Sequence, residues 1–201
     1  MTEHWIGTVS GKQVSYDNPQ PEQFDIHDIA RGLSNVCRFA GQLDCFYSVA
    51  QHSLCCAATA YAETGDRRVA LQALLHDAAE AYTGDMPTPW KSCMGPVYKK
   101  FEKPFQRAIF MRFDAITGAE VDGLHPAVHE SDQRWLITER NQLQPGHTGW
   151  HPRYEAIEPY PGRISVLSAP ESERFFLFWF HYYSRQTVAP CQNIGATLNA
   201  H

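Results

Sequence analysis

LLHDAAEAYTGDMPTPWK, residues 74–91, reads in two ways at once. Leu74, Leu75, Ala78 and Ala79 give it the apolar spacing of a core helix, yet His76, Asp77, Glu80 and Asp85 put four ionisable groups into ten residues. The double-proline stretch after Asp85 then breaks the pattern. Burying unpaired charge is expensive. The segment is therefore either a solvated helix face or one wall of a metal site.

Working outward, the surrounding chain reads as helices. The spacing predicts a helix from about Asp66 to Tyr82, preceded by one over YSVAQHSLCCAATAYAETGD with Ser48 as cap and Gly65 as stop. Before it, FDIHDIARGLSNVCRFAGQ repeats apolar residues at helical spacing from Asp25, a candidate cap, to near Gly41. Gly32 inside that helix is a mild cost. After the DMPTPW loop come a long helix around Pro104 and a second one that Pro126 opens. Residues 144–168 read as irregular, with a short strand at RISVL; SAPESERFFLFWFHYYSR is a final helix, apolar on several faces, suited to the body of the fold or to a second subunit. HWIGTVSGKQVSYDNPQP at the start reads as a β-hairpin. The expected class is mainly α: one domain over 1–201, with a hairpin extension over 1–20 and a loose tail over 187–201.

Composition narrows the function. The chain has 201 residues, 43% hydrophobic and 19% charged, with a net charge of −5. That balance suits a globular domain and argues against a nucleic-acid polymer as partner, which needs a basic face. A nucleotide needs only one or two cations. No apolar run reaches the ~20 residues of a membrane span, and no leader is visible, so a cytoplasmic protein is expected. The six cysteines form no C-x-x-C pair and read as reduced, mostly buried thiols; for Cys55 and Cys56, metal binding or redox activity is the lesser alternative.

Four elements then fall into order: QHS at His52, HD at His76 and Asp77, GD at Asp85, and ESD at Asp132. Two imidazoles and two carboxylates, His52, His76, Asp77 and Asp132, suit one divalent transition metal: Mn, Co, Fe, Ni or Zn. His76 and Asp77 project ~100° apart on a regular helix, so the ion would lie over the helix edge. Glu80 lies one turn on, placed to act on a proton rather than on the metal. Arg38 offers a planar fork of donors to phosphate, Lys91 is a second cation, Phe39 could stack on a base, and Trp90 could line the pocket mouth. His125, His129 and Asp132 share a helix face, but His129 reads as a surface or outer-pocket residue. Glu139 and Arg140 suit ion pairs between helices, with Glu139 also able to orient a ligating histidine.

These elements resemble the HD-domain metal-dependent phosphohydrolases, and within them the branch of bacterial 5'-deoxyribonucleotidases and small phage dATP triphosphohydrolases. The matching segments are RF (38–39), YSVAQHS (47–53), LLHDAAEAYTGDMPTPWK (74–91) and VHESDQRWLITE (128–139), within residues 25–140. The resemblance implies an HD-type helical bundle, Glu80 as catalytic acid/base, Asp85 on the sugar side, and a homodimer or larger homo-oligomer. Its aromatic beside the arginine is typically Trp, where this chain has Phe39. The expected reaction is release of phosphate from deoxynucleoside monophosphates, with release of triphosphate from a dNTP as the alternative. A non-catalytic nucleotide-binding module is the remote third reading.

Overall fold

The computed structural model describes residues 4–118, 123–144, 146, 149 and 152–185. The expected loose tail at 187–201 lies outside them. The described chain is mainly helical with a small N-terminal sheet. Strands β1 (Trp5–Gly7) and β2 (Gln13–Ser15) pair antiparallel, Ile6 opposite Val14. This hairpin is clipped to the body at two points. Ser10 donates from its backbone N and its Oγ to Asp28, at 2.8 and 2.6 Å. The Tyr16 hydroxyl donates to the Tyr82 carbonyl at 2.7 Å.

Helix α1 spans Ile26–Asn35, with the Asp25 side chain accepting from His27 N as expected. It stops well short of Gly41. Val36 and Arg38 instead join the segment before the next helix: Val49 N donates to Val36 O at 3.0 Å and Arg38 N to Tyr47 O at 2.9 Å. The chain then turns through Phe39 and Ala40, both at positive φ (56° and 51°). Left-handed backbone is rare outside glycine and marks a constrained place. Arg38 and Phe39 therefore sit on a tight loop, not on the end of a helix.

Helix α2 (Val49–Thr64) has the expected Ser48 cap and Gly65 stop, the glycine at φ 67°. Helix α3 (Arg67–Leu75) is capped by Asp66. The single helix expected to Tyr82 is broken at 76–79, and α4 resumes over Glu80–Thr83. The break is a tightening: Ala78 N bonds Leu75 O at 3.0 Å and Glu80 N bonds Asp77 O at 2.9 Å, three residues back rather than four. The double-proline loop is partly helical too, since α5 covers Thr88–Met94. Helix α6 (Pro96–Phe113) contains Pro104, and α7 (Pro126–Leu143) begins on Pro126.

The strand expected at RISVL is absent from the described residues. Glutamine side chains serve that backbone instead: Gln51 Nε2 donates to Ser165 O, Gln51 Oε1 accepts from Leu167 N, and Gln142 Oε1 accepts from Ile164 N. Helix α8 (Ala169–Ser184) buries Phe176, Phe180 and Tyr183 while leaving Phe178 60% exposed. It packs across α1, α2 and α3, and α2 packs broadly on α3 and α7. The core between them holds Phe24, Ile29, Leu33, Leu74, Leu75, Phe105 and Ile109. No helix among the described residues is long and apolar enough to cross a membrane.

Gly32 explains how α4 is seated. A Cβ there would meet Ala81 Cβ at 2.7 Å and the Ala81 carbonyl oxygen at 2.9 Å. Helix propensity alone has Gly32→Ala gaining about 1 kcal/mol. The contact reverses that sign: chemical denaturation should show a net loss of about 1–3 kcal/mol from overpacking. Ala81→Gly in the same chain should not restore it, because the residue-81 carbonyl oxygen at 2.9 Å and Cα at 3.0 Å remain in the way.

Candidate metal centre

Two helices, α2 and α7, and the α3–α4 break converge on one point. The Ser48 cap starts α2 so that His52, one turn in, lies fully buried. The tightened turn after Leu75 presents His76 and Asp77 together, and α7 supplies Asp132. Asp132 Oδ1 stands 3.1 Å from His52 Nε2 and 3.8 Å from His76 Nε2. Asp77 Oδ2 stands 3.3 Å from His76 Nε2 and 3.8 Å from His52 Nε2. The four residues picked out by motif order are thus brought together. Tightening alone would not do this, since three residues per turn sets neighbours ~120° apart; the side chains of His76 and Asp77 reach toward each other, to 3.3 Å.

Each histidine has its far nitrogen fixed. His52 Nδ1 donates to Glu139 Oε1 at 2.7 Å, and His76 Nδ1 donates to the Ala73 carbonyl at 2.7 Å. A neutral ring then offers its Nε2 lone pair inward. His76 Nε2 is buried and makes no hydrogen bond among the described residues. Lone pairs aimed at carboxylate oxygens repel, so the arrangement requires positive charge in its midst: protons on the rings, or a cation. Protonation is favoured in its absence. Burial works against a charged His76, but Asp77 and Asp132 outweigh it and hold its pKa well above the usual value. Burial and Arg38 oppose protonation of His52; Glu139 and Asp132 overcome both. Asp132, despite burial, is held well below the carboxylate range by the two histidines.

Cys56 joins the cluster. It lies one turn after His52 on α2, its Sγ 3.5 Å from His52 Nε2. Donor atoms of His52, Cys56, His76 and Asp132 all lie within 4.8 Å of one another, and this buried set could hold a metal ion. Cys56 is a free, buried thiol as expected, and metal binding is the lesser alternative at this position from the sequence alone. The four-residue spacing from His52 on one helix face was the available signal.

Arg38 is buried and already engaged. Its Nε donates to Glu139 Oε2 at 2.9 Å and its Nη1 reaches Asp77 Oδ2 at 3.5 Å. Glu139 therefore makes the interhelical ion pair and orients His52 with the same carboxylate. Arg140 bonds the neighbouring Asn141 side chain. Phe39 is half-buried, its ring 5.8 Å from the Arg38 guanidinium carbon.

Glu80 opens α4 and is 3% exposed. Its Oε1 accepts from Lys91 Nζ at 3.1 Å, while Oε2 makes no hydrogen bond among the described residues. Burial raises its pKa well above the usual carboxylate value, and Asp77 and Asp85 add to that. Lys91 also reaches Glu102 at 3.2 Å and lines an open concavity of about 540 Å³ between α5 and α6, with Tyr98 and Lys99. Asp85 is half-buried and its pKa is raised by burial, with Arg38 pulling back. Trp90 is 57% exposed and does not line that concavity. His129 is exposed beside Gln133, away from the cluster.

No family model matches the chain. It is 34% identical over 191 residues to the uncharacterized protein YfdR of Escherichia coli (strain K12), covering 93% of this chain and 98% of that one. The chain belongs to the YfdR family. The uncharacterized protein RCAP_rcc00048 of Rhodobacter capsulatus is 40% identical over 117 residues, 56% of this chain and 60% of its own.

Within this member of the YfdR family, Glu139 is the residue on which ligand geometry turns. Glu139→Gln keeps the shape but turns an amide N–H₂ toward either Arg38 or His52. By calorimetric titration with Co(II), affinity should fall about 10–100-fold, the usual cost of losing a histidine's orienting partner. Unchanged affinity would remove Glu139 from the site.

Proposed function

We propose that this chain is a metal-dependent phosphohydrolase of the HD-domain type, acting on 2'-deoxynucleotides and releasing phosphate from deoxynucleoside monophosphates. One observation carries the reading. Two histidine nitrogens, each with its opposite nitrogen fixed, face two carboxylates at 3.1–3.8 Å, and a buried glutamate lies three residues beyond Asp77. The motif order QHS, HD, GD and ESD supports the same class.

The residues fit a divalent transition metal such as Mn, Co, Fe, Ni or Zn: imidazole and carboxylate donors suit it, and the charges of Asp77 and Asp132 match its own. Such an ion supplies Lewis acidity toward a phosphate oxygen and lowers the pKa of a water molecule. His52, His76, Asp77 and Asp132 would hold it, with Glu139 and the Ala73 carbonyl keeping the two rings in register. Glu80 holds or passes the proton at Oε2, and Lys91 keeps its other oxygen occupied. Arg38 contributes a fixed positive charge beside Asp77; pinned through Nε, it stabilises charge at a set position rather than wrapping a phosphate. Asp85 lies on the sugar side. The substrate is a small molecule, consistent with a net charge of −5. A homo-oligomer in the cytoplasm is the proposed context.

Three measurements test this. Protein loaded with Mn or Co should release inorganic phosphate from at least one member of a deoxynucleoside monophosphate panel; triphosphate release from a dNTP would move the assignment to a triphosphohydrolase. Bound metal without turnover of any nucleotide sinks the enzyme reading and leaves a binding module. Asp77→Ala should lose the metal, by elemental analysis after desalting. Glu80→Gln should keep the metal and lose about 10²–10⁴ in kcat, the usual weight of an acid/base group.

A further inference from the structure

We infer that Cys56 is itself a ligand of the metal centre, making it a mixed His, carboxylate and thiolate site that selects a borderline-soft ion such as Zn(II), Co(II) or Fe(II) over Mn(II) or Mg(II). The inference rests on the proposed metal site and concerns which atoms define it.

Geometry is the first support. Bonds of about 2.0–2.1 Å to nitrogen and about 2.3 Å to sulfur, opened to a tetrahedral angle, place the two donors about 3.5 Å apart. Cys56 Sγ lies 3.5 Å from His52 Nε2. The second, independent observation is His76. Its side chain is 2% exposed, its Nε2 makes no hydrogen bond among the described residues, and one of its ring nitrogens lies within 4.8 Å of the sulfur. The sulfur and the unpartnered ring thus belong to one cluster, and an ion shared by the sulfur and both rings would satisfy all three.

Charge and chemistry point the same way. Binding as a thiolate releases the Cys56 proton to solvent. The sulfur, Asp77 and Asp132 then supply three negative charges around a dication and two neutral imidazoles, and Arg38, 3.5 Å from Asp77, offsets the third. Thiolate is a soft ligand that favours Zn and Fe, whereas carboxylate and water suit Mn and Mg. Cys56 is fully buried, which shields the sulfur from solvent oxidants.

The test is the optical spectrum of the full-length protein carrying one Co(II) per chain. An intense thiolate-to-cobalt charge-transfer band in the near ultraviolet, beside the weak visible d–d bands, is the expected result. Cys56→Ser should abolish the former, keep the latter, and weaken Zn(II) binding more than Mn(II) binding. Visible bands without the charge-transfer band in the unmodified protein would overturn thiolate ligation and leave the metal centre standing. A band that survives Cys56→Ser would overturn it too, since another cysteine would be the source. Failure to bind Co(II) at all would overturn this inference together with the metal site. If Cys56→Ser does not fold, X-ray absorption on the unmodified protein decides: a sulfur neighbour at about 2.3 Å supports the inference, and only nitrogen and oxygen neighbours reject it.

Discussion

The Glu139 carboxylate, wholly buried on α7, is the interaction on which the site depends. One oxygen takes the His52 Nδ1 proton at 2.7 Å and the other takes the Arg38 Nε proton at 2.9 Å. Three parts of the chain, α2, α7 and the loop after α1, are thereby tied through one group. A buried carboxylate alone would be costly, and removing a partner from such a pair typically costs about 3–5 kcal/mol. Here burial raises the Glu139 pKa, but Arg38 and His52 more than offset it, so the group stays charged. That charge decides which His52 nitrogen faces inward. A structural ion pair and a tautomer choice are the same contact.

A second constraint is the break between α3 and α4. It ends α3 at Leu75 and restarts the chain as α4 at Glu80. Bonds to residues three back tighten the turn, and Gly32 of α1 lets Ala81 approach to a distance no side chain would tolerate. Seating α4 against α1 also explains why Glu80 is 3% exposed rather than on a solvated face. The α1 glycine that looked like a helix defect is what brings α4, and with it Glu80, against the body.

What the sequence made legible was local. Caps at Asp25, Ser48 and Asp66, the stop at Gly65 and the proline start of α7 are read from neighbours a few residues apart, and each holds. The four residues at 52, 76, 77 and 132 were legible because chemistry restricts which residue types serve together. What failed depended on distant partners. Helix α1 ends early because Val36 and Arg38 find hydrogen bonds with Tyr47 and Val49. RISVL is no strand because Gln51 and Gln142 side chains take its backbone bonds. Cys56 joins the cluster only through distant partners, His76 in the α3–α4 break and Asp132 on α7.

The charge balance of the site shows why these contacts belong together. Asp77, Glu80, Asp85, Asp132 and Glu139 are five carboxylates; Arg38 and Lys91 are the two fixed cations among them. With neutral histidines the sum is −3, inside a largely buried region. Such an excess must be relieved by protons or by a cation. The raised pKa values of His52, His76, Glu80 and Asp85 trace where protons would go. They fall in two groups. His52 and His76 face Asp132 and Asp77, where a dication would take the place of their protons. Glu80 and Asp85 lie further along the chain, where a retained proton would serve the proposed reaction. Five carboxylates around two cations would be a poor way to stabilise a fold; in the proposed hydrolase they would separate an ion-holding end from a proton-holding end.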